Sequence, residues 1–110
     1  MLKKQKNSPN NGLAGGAEVV VGLLGQDESG YSFSVKVHGE DGSTSHKVTL
    51  SFDDYEVITE GKIPPDRLVE KSFGFLLARE PKESILGEFN ITEIQKYFPE
   101  YTEEARTWNE

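Results

Sequence analysis

Two stretches of alternating apolar and polar residues, separated by a short turn-rich segment, constrain the fold of this chain more than any other feature. In residues 31–37, Tyr, Phe and two Val alternate with two Ser and a Lys, and residues 45–52 alternate in the same way. A period of two residues is typical of a strand with one buried face. Residues 39–43 between them are rich in turn formers, so the pattern predicts a β-hairpin with one apolar face.

A third strand is predicted ahead of the hairpin, where residues 17–24 form a largely apolar run. The hairpin register is predicted by keeping the two core faces together across the turn. The expected cross-strand pairs are Val37–His46, Val35–Val48 and Phe33–Leu50. The first half of the chain is therefore expected to form a three-stranded antiparallel meander whose other face is exposed to solvent.

The second half of the chain carries helix signals, the first of them directly after the hairpin. Asp53 is a suitable N-cap residue, and Glu56 stands three positions later, as in a capping box. Phe52 and Val57 occupy the positions of a hydrophobic staple. We expect this first helix to end at Gly61, since glycine readily adopts the conformation that terminates helices.

The longest helix is expected to begin with Pro65 in its first turn and to continue to Glu80, where Pro81 disfavours another turn. Its apolar positions recur at helical spacing and predict a face wide enough to contact both the sheet and another helix. These positions are Leu68, Val69, Phe73, Phe75, Leu76 and Leu77.

Two shorter helical segments are expected after the longest helix. Residues 81–86 are typical of a short helical turn that ends at Gly87. Asn90 and Glu93 then repeat the spacing of a capping box, which predicts a last helix over residues 92–98.

Together these elements predict an α+β fold in two layers, with a three-stranded antiparallel β-meander followed by three to four α-helices packed on one face. Residues 1–16 contain too few large apolar side chains to join a core and are expected to form a disordered N-terminal tail. Residues 17–101 are expected to form a single α+β domain, and residues 102–110 a frayed acidic C-terminus.

Charge and composition exclude several classes of protein. Of the 110 residues, 12 are Lys or Arg and 19 are Asp or Glu; the first sixteen carry three lysines and no acid, so the remainder is strongly acidic. An acidic surface repels phosphate, so we expect no nucleic-acid partner. The absence of cysteine excludes disulfides and a thiol nucleophile.

Localisation and assembly follow from the same composition. The longest strongly apolar run, residues 19–24, is far shorter than a membrane span, and no secretory signal is visible. We therefore expect a cytoplasmic protein with no membrane contact. High negative charge discourages self-association, so a monomer or a weak homodimer is expected.

No catalytic, cofactor-binding or metal-binding residues are predicted. His38 and His46 flank an acidic turn, but strand alternation places their rings apart, and no helical pair of ligands accompanies them. His46 is expected to be partly buried with a ring nitrogen bonded to a neighbour. The chain has no nucleophile-elbow motif and no strand-positioned glycine-rich phosphate loop. We therefore expect no cofactor.

Residues 78–84 alternate basic and acidic side chains at the junction between two helical segments. In one interpretation this is a structural corner, in which Arg79 and Glu80 pair with neighbours and Ser84 caps a turn. In the other, it is a charged recognition surface beside an apolar groove lined by the aromatic residues of 97–101. The candidate interaction residues are Arg79, Lys82, Ser84, Tyr97, Phe98 and Tyr101.

Residues 46–101 resemble a family of small prokaryotic proteins to which no function is assigned. The resemblance rests mainly on the segments EKSF at residues 70–73, LLAREPKESIL at 76–86 and YFPEY at 97–101. The family has larger charged residues at the positions of Gly74 and Gly87. It implies no activity, cofactor or catalytic residue for this chain.

These observations predict a non-enzymatic protein-interaction or regulatory module that binds an unidentified protein partner. The prediction rests on the absence of recognisable catalytic motifs. The alternative is a small hydrolase or ligand-binding enzyme whose functional side chains are scattered through the fold.

Overall fold

The computed structural model describes residues 17–109, in which a four-stranded sheet packs its apolar face against helices. The strands are β1 (Glu18–Gln26), β2 (Gly30–Gly39), β3 (Gly42–Ser51) and β4 (Glu88–Asn90). The helices are α1 (Phe52–Thr59), α2 (Pro65–Leu77), α3 (Ile94–Tyr97) and α4 (Tyr101–Ala105). Short 3-10 turns occupy Lys82–Ser84, Ile91–Glu93 and Arg106–Trp108. The predicted α+β class is confirmed.

The sheet has the order β1-β2-β3-β4 and is mixed. Strands β1, β2 and β3 form the predicted antiparallel meander, while β4 pairs in parallel with β3. Strand β4 is not among the predicted strands, because its three residues are too few for alternation to be recognised. It joins the sheet through contacts with a strand some forty residues earlier.

The hairpin register differs by two residues from the predicted one. The observed pairs are Phe33–Val48, Val35–His46 and Val37–Thr44. The strands extend to Gly39 and Gly42, which pair with each other, and Gly42 has a φ of 131° that side-chain-bearing residues rarely adopt. The turn therefore needs only two central residues instead of a five-residue loop. Because the shift is an even number, the predicted apolar face is still the buried one.

Helix α1 begins at a different cap from the predicted one. The Ser51 hydroxyl accepts a hydrogen bond from the Asp54 N–H at 3.0 Å, so Ser51 is the N-cap and Asp53 lies in the first turn. The predicted staple is wrong, because the Val57 side chain is 57% exposed. The helix ends just before Gly61, which has a φ of 74°.

Helix α2 and the segment before α3 follow their local signals more closely. Pro65 is the first residue of α2, as predicted, but the helix ends at Leu77 rather than at Glu80. The capping box of Asn90 and Glu93 is confirmed. It opens a 3-10 turn, and α3 follows with a single turn of α-helix.

The acidic C-terminus contains the helix α4 where a frayed segment was expected. Tyr101 and Ala105 are fully buried, and Trp108 packs against the core. These three residues have the spacing i, i+4, i+7, which places them on one face of a helix. The intervening glutamates obscured this short apolar face in the sequence. The predicted N-terminal tail, residues 1–16, lies outside the described residues.

Candidate functional site

A small surface groove lies where the end of α2, strand β4 and helix α3 meet, and we call it the α2–α3 groove. Its empty volume is about 250 Å³, part of which is open to solvent. Most of its lining side chains are aliphatic or aromatic, and two are acidic. The lining residues are Leu76, Glu80, Ile85, Leu86, Phe89, Glu93, Ile94, Tyr97 and Phe98.

The groove results from the path of the chain after α2. The Glu80 N–H still donates to the Leu76 carbonyl at 2.9 Å, so Glu80 completes the turn that ends the helix. Pro81 then adopts an extended conformation and leads into the 3-10 turn Lys82–Ser84. The chain returns to the sheet only at β4, which leaves an opening between this corner and α3.

Glu80 is the most unusual side chain of the groove. It is 5% exposed, and neither carboxylate oxygen has a hydrogen-bond partner among the described residues. Burial raises the pKa of the Glu80 carboxyl from 4.5 to about 7, because removal from water disfavours the charged form. Buried polar groups without partners are rare in folded proteins. A titratable group that is perturbed in this way and lies in a cleft is a candidate functional residue.

The second acidic residue of the groove, Glu93, has a structural partner. Its carboxylate accepts a hydrogen bond from the Asn90 N–H at 3.3 Å and thereby completes the capping box. The lining contains no basic side chain within residues 17–109. The surface that the groove exposes is therefore apolar, and the buried Glu80 is the carboxylate left without a partner among residues 17–109.

The aromatic residues proposed from the sequence are divided between this groove and the core. Tyr97 and Phe98 both line the groove, with Tyr97 51% exposed at its edge. The Phe98 ring packs edge-on against Phe75. Tyr101 is fully buried, and its hydroxyl lies 2.7 Å from the Ser72 Oγ. Tyr101 therefore belongs to the core and is not exposed for contact with a partner.

The Arg79 side chain packs along α2 and reaches α4. Its guanidinium carbon lies 3.5 Å from the centre of the Phe75 ring, and one of its nitrogens donates to the Phe75 carbonyl. It also pairs with Glu100 and Glu104, each at 3.4 Å. Ser84 is half-buried in the 3-10 turn after α2, and its N–H donates to the Pro81 carbonyl.

Lys82 is buried and tethers the hairpin turn to the corner after α2. Its Nζ lies 2.8 Å from Asp41 and 2.9 Å from Glu83. Burial alone would lower the pKa of Lys82, but hydrogen bonds to the two carboxylates outweigh it and raise the pKa. The bond to Lys82 in turn lowers the pKa of Asp41. A Cβ at Gly39 would lie 2.8 Å from the Lys82 Nζ, so glycine leaves the room that this pair needs.

The two histidines have different environments. His38 is exposed near the end of β2, whereas His46 is 5% exposed on the core face of β3. The His46 Nδ1 lies 2.8 Å from the Leu86 carbonyl, which can only accept, so Nδ1 carries the proton. Nε2 then accepts from the Thr44 hydroxyl. The expected hydrogen bond between a His46 ring nitrogen and a neighbour is confirmed, but the residue is buried rather than partly buried. Within the part of the chain that the structure describes, no group of three potential ligands suits a metal ion.

Glu80 is not among the candidate interaction residues predicted from the sequence, and in one of the two interpretations of residues 78–84 it pairs with neighbours. Only Arg79 forms such pairs. A usable signal was nevertheless present, because Glu80 follows Phe73 by seven residues and Leu76 by four. Those spacings share one helix face, and they place an acidic side chain in line with the buried positions of α2.

Comparisons with family models, with curated proteins and with solved structures found no match to this chain. No helix within residues 17–109 is long and apolar enough to cross a membrane.

Proposed function

We propose that this chain is a protein-interaction module that receives a side chain of its partner in the α2–α3 groove. The observation that carries the proposal is the size and lining of the groove. Sites for drug-sized molecules typically measure about 300–1,000 Å³, and this groove falls short of that range at about 250 Å³ even when space open to solvent is counted. So shallow a groove suits contact with one side chain of a protein partner better than enclosure of a complete small-molecule substrate.

The surface beside the groove also supports docking of a protein. Leu86 and Tyr97 both line the groove and are 38% and 51% exposed. Aromatic residues around a small pocket are typical of the centre of an interface, where an anchoring side chain is surrounded by contacts that exclude water. A partner that inserted a side chain would cover both of these residues.

The observation that favours an enzyme is the pKa of Glu80, which lies near neutrality as a general acid or base requires. Catalysis by such a group also needs a nucleophile or an activated water, together with groups that orient the substrate. The lining residues include no Ser, Thr, Lys or His. A docking function therefore explains the size and the lining residues of the groove better than hydrolysis does.

The proposal can be tested by selecting peptides from a display library against the full chain. We expect selected peptides to bind with micromolar Kd, and Leu86→Arg to weaken binding at least about tenfold by obstructing the groove, a loss of about 1.4 kcal/mol. Val57→Arg is the matched control, because Val57 is an exposed apolar residue on α1 that does not line the groove.

Equal losses in the two arginine variants would show that the peptides bind elsewhere and would reject the proposal, as would a failure to select any peptide. Cleavage of a selected peptide that stops in Glu80→Gln would favour the enzyme instead. Circular dichroism of each variant checks that the fold is retained.

A further inference from the structure

We propose that strand β1 is the contact surface of a weak homodimer, in which the β1 strands of two copies pair antiparallel about Gly22 and join their sheets. Strand β1 is the first strand of the sheet and pairs only with β2 within residues 17–109. The α2–α3 groove lies beside β4, at the opposite edge of the sheet. Pairing through β1 therefore leaves the groove accessible to a different partner.

The hydrogen bonds of β3 show which way the backbone groups of its neighbour β2 point. The Lys47 N–H donates to the Gly87 carbonyl on the β4 side of β3. Backbone groups of successive residues point to opposite sides of a strand, so those of His46 point to β2, where His46 pairs with Val35. The backbone groups of the next residue in β2, Ser34, consequently point to β1.

The same alternation identifies the backbone groups at the outer edge of β1. Ser34 pairs with Gly22, so the N–H and C=O of Gly22 point to β2. Those of Val19, Val21 and Leu23 point to the opposite side, away from the sheet. Within residues 17–109 no strand lies there to bond them. These three residues present donors and acceptors in the spacing that another strand requires.

The side chains of β1 resemble those of an interior strand more than those of an edge strand. Val20, Leu23 and Leu24 are 47%, 59% and 58% exposed, and they are three of the six exposed large apolar side chains within residues 17–109. Edge strands are usually protected by lysine, proline or other charged residues, and residues 19–25 contain none of these. An exposed apolar edge of this kind favours pairing with a further strand.

The sequence of β1 favours a second copy of the same strand as the occupant. Antiparallel pairing about Gly22 places Val21 opposite Leu23 of the second copy. It likewise places Val20 opposite Leu24, so apolar side chains meet on both faces of the joined sheet. Gly22 then lies opposite Gly22 of the second copy in a pair without mutual hydrogen bonds, where the two backbones approach to about 4.5 Å between Cα atoms. Glycine suits such a close approach.

Charges at the two ends of the strand are compatible with this pairing. Glu18 lies opposite the uncharged Gln26 of the second copy, so no acid is directly opposite another. Ala17 lies beside Asp27 of the second copy, and hydrogen bonds from Ser29 and Gly30 lower the pKa of Asp27 and keep it ionised. The chain before Ala17 carries three lysines and no acid. Opposite charges are therefore brought together at each end of the contact.

The contact is small, so we expect a weak dimer. A bulge between Leu23 and Gly25 interrupts the regular strand and limits the new ladder to residues around Gly22. Interfaces below about 1,200 Å² are typical of weak, transient complexes, and each copy has a net charge of −7, which adds repulsion. A Kd on the order of 100 µM follows. The assembly stops at two copies, because a twofold contact uses the same edge in both.

Sedimentation equilibrium of the full chain, from about 10 µM to about 1 mM, tests for the dimer. Leu23→Lys should weaken dimerisation at least about tenfold, because a lysine on an edge opposes pairing with another strand. Val57→Lys is the matched control, since Val57 is 57% exposed and lies on α1. Both variants add the same charge. A monomer at the highest concentration, or equal effects of the two variants, would overturn the proposal.

Single cysteines test the register, since the chain contains none. Gly22→Cys places two thiols opposite each other at a Cα separation that a disulfide accepts. A Cβ at Gly22 meets only the Ser34 Oγ, at 3.4 Å, so the substitution fits the fold. Under mild oxidation Gly22→Cys should form linked dimers at least about tenfold faster than Val57→Cys. Equal rates would overturn antiparallel pairing about Gly22.

Hydrogen exchange of the full chain, followed by NMR, identifies the occupant of the edge. The amides of Val21 and Leu23 should exchange rapidly at about 10 µM, where the chain is monomeric, and more slowly at about 1 mM. Slow exchange of both amides at the lower concentration would show that residues 1–16 occupy the edge. That result would overturn a second copy as the occupant.

Discussion

Glu80 and Lys82 are two charged side chains, each less than a tenth exposed, that stand two residues apart and have opposite environments. Lys82 meets two carboxylates within 3 Å, so its charge is balanced. Glu80 has no such partner in the described chain, although Arg79 is its neighbour in sequence. The cost of burying a charge is therefore offset by two carboxylates at Lys82 and is left uncompensated at Glu80.

Replacing Glu80 by Gln should stabilise the protein in a pH-dependent way. The pKa of Glu80 is about 7 in the folded protein and 4.5 in the absence of burial. The folded state therefore holds the proton more tightly, and stability falls as pH rises from 4.5 to 7. Above that range Glu80 is ionised in both states, and the loss of stability reaches its full value of at most about 3 kcal/mol. Solvent at the open side of the groove reduces this loss. We expect Glu80→Gln to exceed the wild type by about 1–2 kcal/mol at pH 8.

Urea unfolding of both proteins from pH 4 to pH 8 measures this difference. The two free energies of unfolding should converge as the pH approaches 4, where Glu80 is protonated in both states. Glu88→Gln supplies the control for loss of an exposed carboxylate and should follow the wild type. A Glu80→Gln difference that is constant across the range would contradict the burial of an ionisable Glu80.

At the scale of elements, the pair of hydroxyls of Ser72 and Tyr101 joins α2 to α4. The Ser72 Oγ donates to the Leu68 carbonyl at 2.8 Å, so the Tyr101 hydroxyl donates to Ser72. Burial raises the pKa of Tyr101 well above its ordinary value, which keeps this donor protonated. The contact attaches the C-terminal segment to the longest helix, and Trp108 packs edge-on against Tyr101 beside it.

The direction of these two hydrogen bonds predicts unequal effects of removing either hydroxyl. Tyr101→Phe leaves Ser72 bonded to Leu68 and should cost about 1 kcal/mol. Ser72→Ala leaves the buried Tyr101 hydroxyl without its acceptor and should cost more, about 1–3 kcal/mol. Tyr97→Phe, at an exposed position, serves as the control and should have little effect.

Urea denaturation of the three variants at one pH gives the comparison. A larger loss for Tyr101→Phe than for Ser72→Ala would reverse the assigned donor and acceptor. If neither variant differed from the wild type by more than about 0.3 kcal/mol, α4 would not be attached to α2 as the structure shows.

At the scale of the whole molecule, the sheet and the helices share one apolar cluster. Phe73 of α2 is fully buried between them. Its ring centre lies 5.3 Å from that of His46 on β3 and 5.9 Å from that of Phe89 on β4. Neither layer can bury its apolar face without the other, so the domain should unfold as one unit.

Cooperative unfolding can be followed with one local and one global probe. The single tryptophan, Trp108, reports on the C-terminal end of the helical layer by fluorescence, and far-ultraviolet circular dichroism reports on the strands and helices together. We expect the two probes to give coincident midpoints in urea. Phe73→Ala should lower the free energy of unfolding by about 3–5 kcal/mol, and the two probes should report the same decrease. Separate midpoints would show that the C-terminal helices unfold independently of the sheet.

The sequence by itself determined the features that depend on near neighbours. Alternation decided which face of β2 and β3 is apolar, and that face is the buried one. The capping box of Asn90 and Glu93 spans four residues and forms as predicted. The apolar face of α2 also follows from helical spacing alone. These three signals succeed because their interacting groups are held within one turn or one strand, whereas the equally local staple of α1 is wrong because Val57 is exposed.

The tertiary structure decided what depends on distant segments. The hairpin register required knowledge of the turn, in which Gly39 and Gly42 pair across two residues. Strand β4 exists as a strand only because β3 offers it an edge. The isolation of Glu80 depends on where the chain runs after Pro81, since the same carboxylate would be paired or hydrated along another path. Each of these outcomes depends on which distant segment of the chain comes to lie beside the residue concerned. Local sequence patterns do not specify that neighbour.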